Sequence, residues 1–169
     1  MSELSEFRRS KDEFFAGGTD SPLTEHQTHS FKGLRYFDDN PDLRFVLTPM
    51  EFESQDLIEI QTSTGDLAKF TRWGLISFEV AGQKAQLTLL KDAGSGEFFL
   101  PFADATSGDQ TYGAGRYLDV EELPDGTLLV DFNYAYNPYC AYNESWSCPL
   151  TPPENRLTVA VRAGEMGFA

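Results

Sequence analysis

Residues 75–89 read Leu-Ile-Ser-Phe-Glu-Val-Ala-Gly-Gln-Lys-Ala-Gln-Leu-Thr-Leu. Ile76, Phe78 and Val80 alternate with Ser77 and Glu79, and Ala85, Leu87 and Leu89 alternate with Gln86 and Thr88. A period of two places successive side chains on opposite faces of an extended strand. Ala81-Gly82-Gln83 supplies a turn between the runs, so the stretch reads as a β-hairpin with one apolar face. The same alternation recurs outward on both sides. Upstream it holds Leu43, Phe45 and Leu47, then Ile58, Ile60 and Thr62; downstream it holds Leu128, Val130 and Phe132, then Leu157, Val159 and Val161. Gly65-Asp66 and Asp125-Gly126 read as further turns, and no long helical pattern follows residue 31. The expectation is a mainly β fold, an antiparallel barrel or sandwich-like single domain spanning 1–169.

The β-rich body is expected over 35–169, preceded by a helical arm over 1–31. Ser2 or Ser5 can cap a first helix that sets Leu4, Phe7, Lys11, Phe14 and Phe15 near one face, and Gly17-Gly18 ends it. Pro22 to Phe31 predicts a second short helix with proline near its first turn. Two helices this small make an arm or lid rather than a domain.

A chain of 169 residues can bury one core without a metal or disulfide. Its 13 Lys and Arg against 27 Asp and Glu give a formal charge of −14. That charge repels nucleic-acid phosphates and anionic lipid, so neither is expected as a partner. No stretch reaches the roughly 20 apolar residues of a membrane span, and residues 1–15 lack the apolar run of a secretory signal. The cytoplasm is the expected location, with Cys140 and Cys148 as thiols.

Two long irregular segments, 103–116 and 134–156, are where function is expected. In the first, Gly113 and Gly115 allow a backbone nest for an anion, with Arg116 as a fork. The competing reading is a tight turn into a strand, with Arg116 paired to a carboxylate such as Asp131. In the second, Asn133, Asn137, Tyr142 and Asn155 can orient a ligand or satisfy backbone groups where no ladder forms. Cys140 could be a nucleophile, but it needs a base, and the only histidines, His26 and His29, lie on the arm. That pair is half a metal site at best, so no metal is expected. Glu154 is an acid–base group if buried and a turn charge facing Arg156 or Arg162 if not.

The leading expectation is a pocket made by loops 104–117 and 131–155 that binds a small polar or anionic molecule. Arg116, Asp131, Asn133, Asn137, Tyr142 and Asn155 would contact the ligand, with Cys140 and Glu154 as candidate catalytic groups. The alternatives are a non-catalytic structural or protein-interaction domain, or a thiol redox protein using Cys140 and Cys148.

Several of these motifs occur together in one known family. Gly113-Ala-Gly115-Arg116-Tyr-Leu118, Asn137-Pro-Tyr-Cys140-Ala, Pro152-Pro153-Glu154-Asn155-Arg156 and Ala163-Gly164-Glu165 resemble the prokaryotic domain of unknown function family 1684. Arg9-x-Lys11-Asp12, Phe14-Phe15, Gly33-Leu34-Arg-Tyr36-Phe37 and Asp104-x-Thr106-Ser-Gly108 also resemble it. The resemblance runs over nearly the whole chain. It implies that the polar residues of the long loop are a family property, and it carries no established reaction, cofactor or partner.

Overall fold

The computed structural model describes residues 2–17 and 19–168. Helix α1 (Glu3–Gly17) starts at Ser2, whose hydroxyl accepts from the Ser5 N–H at 3.1 Å. Of the expected stop at Gly17-Gly18, Gly17 is the last helical residue and Gly18 lies outside the described residues. Helix α2 (Glu25–Ser30) is shorter than expected. Its start signal is not Pro22 but a capping box, in which Thr24 and Gln27 satisfy each other's backbone N–H groups.

The body is built from antiparallel strands. These are β1 (Arg44–Leu47), β2 (Met50–Glu51), β3 (Leu57–Gln61), β4 (Leu67–Val80), β5 (Gln83–Asp92), β6 (Phe98–Phe102), β7 (Arg116–Leu118), β8 (Glu121–Glu122) and β9 (Leu128–Asp131). β4 and β5 are the expected hairpin. Its closing pair is Val80 with Gln83, and Ala81 (φ 51°) and Gly82 (φ 79°) take the left-handed conformations that a two-residue turn requires. β4 carries β3 along its first half and β2 along its second, and the sheet continues through β5 and β6 to β7. A second sheet has the order β1-β9-β8. Among the described residues the two sheets do not close into a barrel; the arrangement is sandwich-like.

The main core lies between the sheets, where Ile76, Phe78, Leu87 and Leu89 meet Leu128, Val130 and Phe132. Part of the outer face of the larger sheet, away from the tip of the β4–β5 hairpin, is also covered. Ile60, Phe70 and Leu90 form a second apolar cluster there, and Tyr117, Cys140 and Cys148 a third. Double coverage explains why β6, Phe-Phe-Leu-Pro-Phe, shows no polar alternation: Leu100 and Phe102 face the main core while Phe99 packs outward on Phe70 and Tyr117.

The late strand expected over Leu157 to Val161 is reduced to an isolated parallel bridge of Arg156 with Ala103. The Leu157 N–H bonds to Ala103 O and Val159 O accepts from the Ala105 N–H, but the Val161 N–H turns to the Asp104 carboxylate at 2.6 Å. Among the described residues no helix is long and apolar enough to cross a membrane.

Candidate functional site

The two loops that were expected to share a pocket do meet, with Tyr112 against Cys140 and Tyr117 bridged to Tyr136, but Arg116 does not face the space between them. The 104–116 segment turns inward on the C-terminal tail, and Arg116 is 0% exposed. Its guanidinium donates to the carbonyls of Val161 (2.9 Å), Ala163 and Glu165 (3.1 Å) and lies 3.6 Å from Asp104 Oδ2. The expected anion fork is therefore a structural arginine, and its carboxylate partner is Asp104 rather than Asp131. Burial lowers its pKa to about 10, against the opposing pull of Asp104, so the group stays charged at neutral pH. Asp104 is itself held by the Thr106 hydroxyl and the Val161 N–H.

Three further expected contacts also serve the architecture. Asn155 is fully buried and replaces a missing strand neighbour: its amide pairs with Thr88 N and O at 2.8 and 2.9 Å and donates to Pro101 O. Asn133 does the same for Asn40, exchanging both bonds at 2.9 Å. Asp131 caps the short turn Phe132–Tyr134, accepts from Asn133 and faces Arg44 at 3.9 Å. Glu154 is at the surface and forms a two-point pair with Arg72, at 2.9 and 3.2 Å, rather than with Arg156 or Arg162. Removing an exposed ion pair is worth about 0.2–1 kcal/mol. Glu154→Ala is accordingly expected to leave the urea midpoint nearly unchanged; a loss above about 2 kcal/mol would show that Glu154 does more than this pair.

The remaining expected residues, Asn137 and Tyr142, meet groups that spacing did not suggest. Helix α1 lies across the aromatic loop. Phe15 packs edge-on against Tyr142 at 5.0 Å and Phe7 against Tyr134 at 5.0 Å, while Arg8 donates to Phe37 O. Below the helix Glu165 is 1% exposed. Its carboxylate accepts from the Lys11 ammonium, the Tyr142 hydroxyl and the Asn137 amide. Gly164 aims it there: at φ 79° its backbone is so close that a Cβ would sit 2.7 Å from Ala135 O and 2.8 Å from Phe132 O. Burial, aided by Glu165, pushes the Tyr142 pKa upward, so its hydroxyl stays a donor.

Between α1 and residues 136–148 runs an open cleft of about 660 Å³. Phe7, Phe14, Tyr139 and Trp146 supply aromatic walls, and Lys11, Asn137 and Cys148 also line it. The Lys11 ammonium lies 5.0 Å from the Tyr136 ring centre. Its side chain is 15% exposed, so it reaches the cleft while its charge is balanced from behind by Glu165. Helix α2 and the segment before it fix the far end, with Gln27 Nε2 donating to Tyr142 O at 2.7 Å and Trp146 Nε1 to Pro22 O at 3.0 Å.

Cys148 sits in the same wall with Cys140 beside it, both as buried free thiols. The Cys140 N–H donates to Cys148 Sγ at 3.4 Å, and the Tyr112 hydroxyl is 3.7 Å from Cys140 Sγ. The Cys148 thiol and then the Tyr112 hydroxyl stabilise a Cys140 thiolate, drawing its pKa down to about 6 against the effect of burial. The neighbouring Cys140 raises that of Cys148. His26 and His29 are exposed on α2, and neither makes a hydrogen bond to the thiols among the described residues. Among the described residues no group of three or more His, Cys, Asp or Glu could hold a metal.

The sequence model of the family described as "Protein of unknown function (DUF1684)" matches residues 29–166. Among solved structures, the solution NMR structure of an uncharacterized protein of Haloarcula marismortui is similar, with 37% identity and a TM-score of 0.73. The match covers 97% of this chain and 92% of that one. No curated protein is significantly similar.

Proposed function

The chain belongs to the DUF1684 family of proteins of unknown function, and from that premise we propose that it binds a small molecule in the cleft under α1. The molecule has a flat, largely apolar body and a carbonyl or carboxylate at one end. One observation carries this reading: an aromatic-walled cleft of about 660 Å³ with a lysine ammonium anchored on its floor by a buried carboxylate. Ligand sites are mostly apolar hollows of about 300–1,000 Å³ with a few fixed polar groups. The rings of Tyr139 and Trp146, 5.2 Å apart, supply a stacking wall. Lys11 keeps further protons to donate beyond the one given to Glu165. The anionic end expected at Arg116 is thus assigned to Lys11. Two neighbouring free thiols fit a reducing compartment, so the cytoplasm is kept as the proposed location.

Trp146 lies in the cleft and Trp73 does not. A Trp73→Phe background therefore isolates a reporter. Titration with 2-naphthoate is expected to change Trp146 emission saturably, and naphthalene to bind more weakly. A hydrogen bond to a charged group is worth about 1.5–3 kcal/mol, so Lys11→Gln is expected to weaken naphthoate about tenfold or more. No saturable change with either probe, or equal affinity in the Lys11 variant, would overturn the assignment.

A further inference from the structure

Cys140 and Cys148 take no part in the contact proposed for Lys11, yet Cys148 opens onto the cleft. We propose that the two cysteines are an oxidisable dithiol, a modification site for a hydroperoxide, with Cys140 as the attacking thiol and Cys148 as the resolving one. The intervening chain is folded to bring them together. A short 3-10 turn at Tyr139–Ala141 and a second turn closed by Trp146 N–H to Asn143 O double the loop back, and Cys148 Sγ accepts from the Cys140 N–H.

Buried structural thiols are inert in apolar surroundings, whereas reactive ones have groups that favour the thiolate. Cys140 has hydroxyl and thiol donors within reach. Tyr112 remains a donor at neutral pH, since burial pushes its pKa up to about 12. The cleft gives a small oxidant a way to the pair from the Cys148 side.

The Cys140 thiolate attacks one peroxide oxygen; an S–O bond forms, the O–O bond breaks, and the departing alkoxide takes a proton. Cys148 sulfur then attacks the sulfenic sulfur of Cys140; an S–S bond forms and hydroxide leaves as water with the Cys148 proton. In sum the two thiols lose two electrons and two protons, and the hydroperoxide becomes an alcohol and water. The new bond would tether the residues that carry Trp146, whose ring packs on Tyr139 next to Cys140.

The full chain treated with hydrogen peroxide is expected to lose two hydrogens in intact mass, with a parallel change in Trp146 emission in the Trp73→Phe background. Cys148→Ser is expected to trap a dimedone adduct at Cys140, and Cys140→Ser to react far more slowly. A folded wild type whose thiols survive peroxide that fully oxidises free cysteine would overturn the proposal. So would equal dimedone labelling of the two serine variants. If a serine variant fails to fold, the wild-type mass decides the matter by itself.

Discussion

Arg116→Ala is expected to remove about 3–5 kcal/mol of stability, the cost of breaking one side of a buried charge pair. That is a large share of the roughly 5–15 kcal/mol that holds a domain together. The guanidinium ties Val161, Ala163 and Glu165 carbonyls to Asp104, and thereby fastens the C-terminal tail to the start of β7. Without it Asp104 becomes a buried carboxylate with no countercharge, and the tail carbonyls lose their donor. Arg116→Lys restores a charge but not the planar fork, so it is expected to fall between the two. Urea unfolding followed by circular dichroism measures both. A loss under about 1 kcal/mol in Arg116→Ala would mean that the tail is held by other contacts.

The legibility of this arginine shows where sequence reading succeeds and fails. Strands with one wet face were readable, because Ile76-Ser77-Phe78-Glu79-Val80 prints its burial directly as alternation. β6 was not, because the loop that covers the outer sheet face makes both of its faces apolar. The late apolar row Leu157, Val159, Val161 has the right period and Val159 and Val161 are buried, yet its pairing stops at one parallel bridge to Ala103 and the Val161 N–H bonds to Asp104 instead of a ladder. Periodicity reports burial; it does not report which groups satisfy the backbone. The polar residues stand out in the sequence, but whether they face a ligand or the backbone is not written in it. Asn133, Asn155 and Arg116 all look like ligand groups in one dimension and are backbone substitutes in three. Lys11 and Glu165 lie 154 positions apart, so no spacing rule could join them. Their only signal was that each sat in a motif of the family resemblance.

The same pairing makes Glu165 the residue on which the cleft depends. Glu165→Ala is expected to cost about 3–5 kcal/mol, since it leaves the half-buried Lys11 ammonium without its partner and strips the Tyr142 hydroxyl of its acceptor. The loss has a direction as well as a size. Lys11 belongs to α1, whereas Glu165 and Tyr142 belong to the body, so the helix is expected to loosen before the sheets do. Trypsin reads that directly, because Arg8, Arg9 and Lys11 all lie on α1. Under native conditions the variant is expected to be cut there while the body stays folded, and to lose Trp146-reported naphthoate binding with the floor of its cleft. Pairing Lys11→Met with Glu165→Leu removes both charges together, and a buried ion pair replaced by apolar side chains is often neutral or stabilising. The double variant is therefore expected to be more stable than Glu165→Ala, with a coupling of about 1 kcal/mol or more. If Glu165→Ala keeps α1 protected from trypsin and its stability within about 0.5 kcal/mol of the parent, the helix is held by its other contacts, Phe7, Phe15, Arg8 to Phe37 O and Asp12 to the Leu34 N–H among them, and Lys11 is not an anchored group.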